Sequence, residues 1–405
     1  MDYSDNTFVW SDNWWIEDNK AWFVDGMQNI LFCLDLDTHI CEMAIRIPDE
    51  NPSTFRLTPI CIKCGKDIYC LPSFGEHIWI YNLDCSQFTR ISIDGINKFQ
   101  WWFDYWVFGN KIFAVARLTN KLVEISISDK KIEDYYEICQ SDSIIASIKR
   151  ENNIYSLSGQ SDRIYQYNLL TQNVIQYDVP HIGKKLATIC FDGKKFWLSG
   201  YEKEIYVWDK EENVLTILND FPKNFGVYKY GENSGNILDC ETEKFEDSTF
   251  LYSVEVGEYI WFIPYTTNEI IYVHKQTYNL MALEIDEEVE TKESIETWQK
   301  RSLSHKYLLE YVRENRYLGL FSTKYERMLE IDAKKLEYQW HDYYFSKKCL
   351  RVCAEIKHNF YYEGKVLDRK TYKAIFEEDN SNIFNICKNN IGTKIYGKLM
   401  ESLSE

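Results

Sequence analysis

Residues 153–172 of the chain read NIYSLSGQSDRIYQYNLLTQ. This stretch consists of two apolar phrases separated by a short polar turn. The second phrase alternates apolar and polar side chains, as in Ile164-Tyr165-Gln166-Tyr167. A period of two is typical of a β-strand, whereas a helix repeats every 3.6 residues. The stretch therefore predicts two neighbouring strands.

The same pattern recurs along the chain in six further copies, which are AWFVDGMQNILFCLDLDT (21–38), DIYCLPSFGEHIWIYNLDCS (67–86), KIFAVARLTNKLVEISISDK (111–130), KFWLSGYEKEIYVWDKEEN (195–213), YIWFIPYTTNEIIYVHKQT (259–277) and RYLGLFSTKYERMLEIDAK (316–334). An aromatic residue marks the first phrase of each copy: Trp22, Tyr69, Phe113, Tyr155, Phe196, Trp261 and Tyr317. A mostly polar residue closes each second phrase: Asp35, Asn82, Ser126, Asn168, Asp209, Lys275 and Asp332. Successive anchors lie 41 to 47 residues apart through the fifth copy, and both series then lengthen together.

A period of 40–50 residues with four short strands per repeat is typical of a β-propeller. In the fourth repeat the strands are predicted at 143–149, 154–158, 164–169 and 174–179. We predict an all-β protein, a seven-bladed β-propeller of four-stranded blades with a short C-terminal strand and helix extension. The blades are expected near 8–50, 53–95, 99–139, 142–180, 184–220, 249–286 and 304–346. Residues 347–405 are expected to pack on the propeller.

The repeats resemble those of the Kelch group of propellers. The resemblance rests on an aromatic-rich second strand, a small-residue turn and phrases such as IYQYNLLT in the third strand. The double glycine of that group is reduced to Ser158-Gly159 and Ser199-Gly200. The Trp-Asp dipeptide of WD40 repeats occurs at Trp208-Asp209 without its accompanying Gly-His. The pattern therefore indicates the β-propeller superfamily and does not distinguish between its subfamilies.

Two repeats carry surplus sequence. Residues 227–248 are polar and acidic, which favours a surface loop. Residues 287–299 are rich in Glu and Lys, which fits either a short helix or a solvated excursion.

The chain carries 46 basic and 63 acidic residues, a formal net charge of −17. Such a surface disfavours nucleic acid, because binding to phosphates requires Lys and Arg. No basic leader with an apolar core is present at the N-terminus, and no apolar run is long enough to insert into a membrane. Twelve cysteines without a leader favour free thiols in a reducing compartment. We therefore expect an acidic, cytoplasmic protein.

Motifs for cofactor or metal chemistry are missing from the sequence. Cys61, Cys64 and Cys70 make half a zinc site, and the remaining close pair, Cys349 and Cys353, has a different spacing. The chain has no G-x-S-x-G, P-loop or dinucleotide fingerprint. We expect no cofactor and no bound metal. Five carboxylates near blade tips could act as acid or base if folding paired them: Asp25, Asp104, Asp162, Glu202 and Glu269.

With the four strands of each blade called a to d from the channel outward, propeller topology places the b–c turns and the d–a connections on one face, around the mouth of the channel. The b–c turns supply His77, Arg163, Tyr201, Tyr265 and Lys324. The starts of the inner strands supply Arg56, Trp101, Trp102 and His305. Arginine and aromatic residues are enriched at binding hot spots. These nine residues are therefore the candidate binding site, suited to an anionic or sugar-like ligand.

Two functions follow from this interpretation. The first is a binding module that holds a protein partner or a small ligand at the channel mouth. The second is an enzyme, a lyase or hydrolase acting on a sugar or peptide, whose active site is assembled from several blades. Carboxylates and histidines lining one pocket would favour the enzyme, and a wide aromatic patch would favour the binding module. Because propellers serve many functions, the fold alone does not choose between them.

Overall fold

A computed structural model of the chain describes most of the propeller. The described residues are 11, 13–26, 29–48, 58, 60–73, 75–93, 103–116, 119–140, 142–223, 225, 249–264, 267, 269–285, 306–322, 327–349 and 352. The two surplus segments and residues 353–405 lie outside them.

Seven antiparallel sheets follow one another in chain order, and each is one blade. Blade 1 contains β1 (Trp15–Glu17), β2 (Lys20–Asp25), β3 (Ile30–Asp35) and β4 (Ile40–Arg46). Blade 2 contains β5 (Ile60–Cys64), β6 (Asp67–Leu71), β7 (His77–Asn82) and β8 (Gln87–Ser92). Blade 3 contains β9 (Phe103–Phe108), β10 (Lys111–Ala116), β11 (Lys121–Ser126) and β12 (Lys131–Glu137). Blade 4 contains β13 (Ile144–Arg150), β14 (Asn153–Ser158), β15 (Arg163–Asn168) and β16 (Val174–Asp178).

The second half of the ring repeats this plan. Blade 5 contains β17 (Leu186–Phe191), β18 (Lys195–Gly200), β19 (Ile205–Asp209) and β20 (Val214–Leu218). Blade 6 contains β21 (Phe250–Val256), β22 (Tyr259–Pro264), β23 (Glu269–His274) and β24 (Leu280–Glu284). Blade 7 contains β25 (Tyr307–Arg313), β26 (Tyr317–Ser322), β27 (Arg327–Asp332) and β28 (Glu337–His341). The prediction of an all-β, seven-bladed propeller of four-stranded blades is confirmed.

In every blade the four strands pair in chain order, and we label them a to d. The first strands of neighbouring blades contact one another, as β13, β17 and β21 do, so strand a lies next to the channel and strand d at the rim. Antiparallel pairing puts the b–c turns and the d–a connections on one face, which we call the upper face. The a–b and c–d turns form the lower face.

The c–d turns on the lower face are alike in all seven blades. The last residue of strand c accepts hydrogen bonds from the backbone N–H groups of the turn. In blade 4, Asn168 Oδ1 accepts from Leu170 N at 3.0 Å and from Thr171 N at 2.9 Å. The equivalent acceptors are Asp35, Asn82, Ser126, Asp209, His274 and Asp332. Four residues later each turn has a non-glycine residue with positive φ: His39, Ser86, Lys130, Gln172, Asn213, Tyr278 and Leu336.

Strand pairing corrects three of the anchors predicted from the sequence. The acceptor in blade 6 is His274, not Lys275, because the imidazole Nδ1 lies 3.3 Å from both Gln276 N and Thr277 N. The residue equivalent to Tyr155 in blade 5 is Trp197, not Phe196.

In blade 7 the equivalent position is Gly319, not Tyr317. A Cβ atom at Gly319 would lie 2.1 Å from the Tyr311 ring. The ring from strand a therefore occupies the space that an aromatic side chain fills in the other blades.

A short fifth strand closes the ring. β29 (Tyr344–Phe345) follows blade 7 and pairs in parallel with β4 at the rim of blade 1. Tyr344 N donates to His39 O at 2.8 Å, and Ser346 N donates to Cys41 O at 3.0 Å. Phe345 is buried against Phe32, with ring centroids 5.3 Å apart. The chain after blade 7 thus fastens the last blade to the first.

Candidate functional site

Three of the nine residues nominated from the sequence, His77, Arg163 and Tyr201, lie among the described residues. The other six lie outside them: Arg56, Trp101, Trp102, Tyr265, His305 and Lys324.

The three described residues lie at the upper face, on blades 2, 4 and 5. His77 and Arg163 begin strand c, the third strand from the channel, so they lie in the outer half of their blades. The His77 ring is 5.8 Å from that of Trp79. Arg163 Nε donates to Asp178 Oδ1 on strand d at 3.2 Å. The three residues thus lie on the same face of the propeller, but each contacts a different set of residues.

Tyr201 follows strand b of blade 5, one strand nearer the channel. Lys185 Nζ lies 5.7 Å from the centre of the Tyr201 ring, and Tyr201 N donates to Lys185 O at 3.4 Å. This cation–π contact spans the d–a connection and the b–c turn. It combines the aromatic and cationic side chains that the sequence predicted for this face.

A hydrogen-bonded carboxylate holds the upper end of blade 4 together. Asp142 Oδ2 accepts from Ser158 Oγ at 2.5 Å, Ser161 Oγ at 2.8 Å and Tyr165 Oη at 3.2 Å. Its Oδ1 accepts from Ser143 N at 2.8 Å. Burial raises the pKa of Asp142, but the serine and backbone hydrogen bonds outweigh burial and hold that pKa below its ordinary value. This network fixes the b–c turn against the preceding connection.

A histidine–carboxylate pair lies beside this network. His181 Nδ1 is 2.7 Å from Asp162 Oδ2, which also accepts from Ile182 N at 3.1 Å. The His181 side chain is 86% exposed. Sequence inspection found no motif for this pair, because its members are 19 residues apart and meet through the fold. Asp162 holds the imidazole in one orientation at the surface.

The five candidate carboxylates differ sharply in their surroundings. Asp25 is fully buried, and Asp104 accepts from the Ser147 backbone N–H at 2.7 Å. Asp162 pairs with His181, and Glu202 lies 3.4 Å from Lys184. Glu269 is 8% exposed, and its Oε2 has no hydrogen-bond partner. The structure does not pair any two of the five as acid and base within the described residues.

Glu269 begins strand c of blade 6 and faces blade 5. Burial raises its pKa, the nearby Glu284 raises it further, and Lys203 lowers it. The Lys203 ammonium lies over the Phe225 ring, 5.0 Å from its centre, and donates to the Phe225 carbonyl. Phe221 and Phe225 stack at 5.1 Å. Lys203 and the stacked aromatic rings therefore lie between blades 5 and 6 at the upper face, and Lys203 is near enough to Glu269 to lower its pKa.

Ion pairs join inner strands at the lower end of the channel. The Arg150 guanidinium on blade 4 pairs with the Glu255 carboxylate on blade 6, passing over the end of blade 5. Lys275 Nζ pairs with Glu255 Oε1 at 2.6 Å. The Lys63 ammonium on blade 2 pairs with Glu17 on blade 1. The Arg150–Glu255 and Lys63–Glu17 pairs therefore link neighbouring parts of the ring at this end.

No group of three or more His, Cys, Asp or Glu side chains in the described part of the chain could hold a metal ion. Cys61 and Cys70 are buried partners across β5 and β6. Cys353 lies outside the described residues. Within the same ranges, no helix has the length and apolar character needed to cross a membrane.

No protein-family model and no curated protein matches the chain. Solved structures of similar fold exist. A catalytically inactive variant of virginiamycin B lyase from Staphylococcus aureus, solved with quinupristin, is 10% identical with a TM-score of 0.52, over 80% of this chain and 94% of that one. A streptogramin B lyase is 11% identical with a TM-score of 0.53, over 83% of this chain and 96% of that one. At these identities the likeness is one of fold.

Proposed function

We propose that this protein is a binding module that holds a protein partner or a small anionic or sugar-like ligand at its upper face. The contrast between the two faces supports the proposal. On the lower face seven c–d turns share one hydrogen-bonding plan. On the upper face the d–a connections differ in length from six residues (138–143) to 31 residues (219–249). Variable loops on a rigid, repeated scaffold are where propellers and other scaffolds carry function.

The upper face also carries the chemistry for recognition. Lys185 over Tyr201, the oriented His181 and Arg163 present cationic and aromatic groups on adjacent blades 4 and 5. Arg163 and His181 are exposed, although carboxylates contact both of them. An anionic ligand would replace those carboxylates as the partner of Arg163 and His181, which makes affinity dependent on salt. Trp101 precedes β9 in the sequence and lies outside the described residues, and we propose it as a further member of this site for its aromatic ring.

Alanine variants test this proposal. The tagged chain is recovered from its source cell with the ligand or partner that it retains. Arg163→Ala and Trp101→Ala should each retain less of that ligand or partner, while the circular dichroism spectrum stays unchanged. The matched control is Arg90→Ala on β8, an exposed arginine on a rim strand. Normal retention by both upper-face variants would contradict the proposal.

An enzyme active site is the second candidate, and Glu269 is the observation that favours it. A buried carboxyl whose pKa is raised above its ordinary value is suited to act as a general acid or base. The fold likeness to two lyases fits this alternative loosely, because it carries no residue of their sites to this chain. Glu269→Gln would abolish turnover of a captured small molecule and leave its binding intact. Unchanged turnover would exclude Glu269 as the acid or base.

Two finer interpretations remain proposals. Kelch-like repeats are supported by the small-residue ends of strand b in blades 4 and 5. A cytoplasmic location is supported by nine free cysteines in the described residues, seven of which are buried. Fluorescence microscopy of the tagged chain in its source cell would test the second.

A further inference from the structure

The rim of blades 4 and 5 carries an unusual share of exposed apolar side chains. Among the described residues, six large apolar side chains are exposed, and five of them lie on this rim: Leu170, Val174, Ile175, Val214 and Ile217. The sixth, Val312, is on β25. Scattered apolar residues are ordinary on a surface, but a concentration on two adjacent blades marks a contact site.

Two of these side chains lie on the sides of blades 4 and 5 that face the gap between the blades. Tyr177 on β16 and Leu215 on β20 pack against the core that joins blades 4 and 5. Because side chains alternate along a strand, Ile175 and Ile217 lie on the same sides as Tyr177 and Leu215. They are 48% and 51% exposed. The gap at the rim is therefore a groove with an isoleucine on each wall, and deeper in it the Lys210 ammonium lies over the Tyr177 ring, 5.4 Å from its centre.

Among the described strands, none pairs with the outer side of β20. This strand pairs with β19 on one side, and its sequence VLTIL contains no charged residue. Each of the other six rim strands carries at least one charged residue. Edge strands are usually blunted by charges, because their free backbone groups otherwise pair with another chain. β20 lacks that protection.

Blade 1 shows that a rim strand of this propeller accepts an added strand. β29 pairs with the outer side of β4 and buries Phe345 there. At blade 5 the charges favour a particular kind of segment. Glu211 and Glu212 precede β20 and Asp220 follows it, and all three are exposed. An apolar edge between acidic ends is complementary to an apolar segment between basic ends.

We propose that the rim of blade 5 binds an extended segment of a partner protein, which adds to β20 as a fifth strand. Alternate apolar side chains of the segment enter the groove between Ile175 and Ile217, and flanking Lys or Arg residues pair with Glu211, Glu212 and Asp220. Backbone hydrogen bonds supply affinity in such complexes, and the side-chain pockets supply specificity. This site is independent of the upper face.

Fluorescence polarisation with a defined peptide tests the inference. The probe is fluorescein-labelled Lys-Lys-Ile-Thr-Val-Thr-Ile-Lys-Lys, and the protein is the full chain. We expect saturable binding that weakens at least tenfold in Ile217→Asn and in Ile175→Asn. Val312→Asn is the matched control, since it removes an exposed apolar side chain elsewhere, and its affinity should stay within twofold of wild type.

Two altered peptides distinguish binding by strand addition from nonspecific binding. Proline at the central position removes a backbone donor and should abolish binding. Glutamate in place of the four lysines should weaken it at least tenfold. The inference is overturned if the first peptide shows no saturable binding up to about 1 mM, if Ile217→Asn and Val312→Asn behave alike, or if the proline peptide binds equally well. Circular dichroism confirms that each variant is folded.

Discussion

Phe345→Ala should open the seam between blades 1 and 7 while leaving the other blade contacts intact. Phe345 is 1% exposed and packs on Phe32 and Tyr343, with ring centroids 5.3 and 6.1 Å away. Truncating a buried phenylalanine to alanine costs about 3–5 kcal/mol. The two backbone hydrogen bonds of Tyr344 N and Ser346 N contribute about 0.5–1.5 kcal/mol each. The packing free energy that the substitution removes exceeds the free energy that the two hydrogen bonds contribute, so β29 should detach from β4.

Hydrogen–deuterium exchange measured by mass spectrometry reports directly on the interface between blades 1 and 7. In Phe345→Ala, exchange should rise in β4 and β28, with little change in β13–β20. Phe196→Ala is the matched control, because Phe196 is fully buried between blades 4 and 5. It should lower stability by a similar amount and raise exchange in those blades instead. Uniform exchange across all blades in Phe345→Ala, or a loss under about 1 kcal/mol, would refute the assignment of β29 as the closing strand.

Three smaller perturbations test other parts of the account. Asn168→Ala removes the acceptor of a c–d turn and should cost about 1 kcal/mol in denaturant titration, with an unchanged midpoint arguing against the turn plan. Burial and the neighbouring His39 lower the pKa of His341 below its ordinary value of 6.5, so its stabilising contribution is present above pH 6.5 and is lost as the pH falls through the folded-state pKa. Between pH 7.5 and 5.5 the melting temperature of His341→Gln should therefore fall by less than that of wild type. Equal decreases in the two proteins would contradict this. Burial raises the pKa of Glu269, so its contribution to folding stability is present below its ordinary pKa of 4.5 and is lost as the pH rises through the folded-state pKa. The gain in stability of Glu269→Gln over wild type should therefore be larger at pH 8 than at pH 4. A gain that does not change with pH would contradict this.

Local sequence sufficed for the blades, because each strand and turn is specified by nearby residues. In blade 4 the four predicted strands begin and end within one residue of those observed. The anchors failed where a different side chain did the same physical work. His274 accepts the turn hydrogen bonds that Asp or Asn accepts elsewhere, and the Tyr311 ring fills the space above Gly319. A pattern of residue types does not show such replacements.

Contacts between distant residues could not be predicted. β29 has two residues and pairs with a strand about 300 positions earlier, so no local signal marks it. The pair of Asp162 and His181 and the pair of Arg150 and Glu255 likewise depend on how blades are arranged. For the candidate site, topology predicted the shared face of His77, Arg163 and Tyr201. Their radial distances from the channel and their partners required the structure.

Binding at the upper face can be tested by measuring which segments of the chain a bound partner or ligand protects from hydrogen–deuterium exchange. The tagged chain is recovered from its source cell with whatever protein or small molecule it retains, and exchange is compared with the chain after the bound material is removed. We expect protection in the upper-face segments 138–143, 159–162, 179–185 and 201–204, with the c–d turns 169–173 and 210–213 unchanged. Protection confined to the c–d turns, with the upper-face segments unaffected, would contradict binding at the upper face.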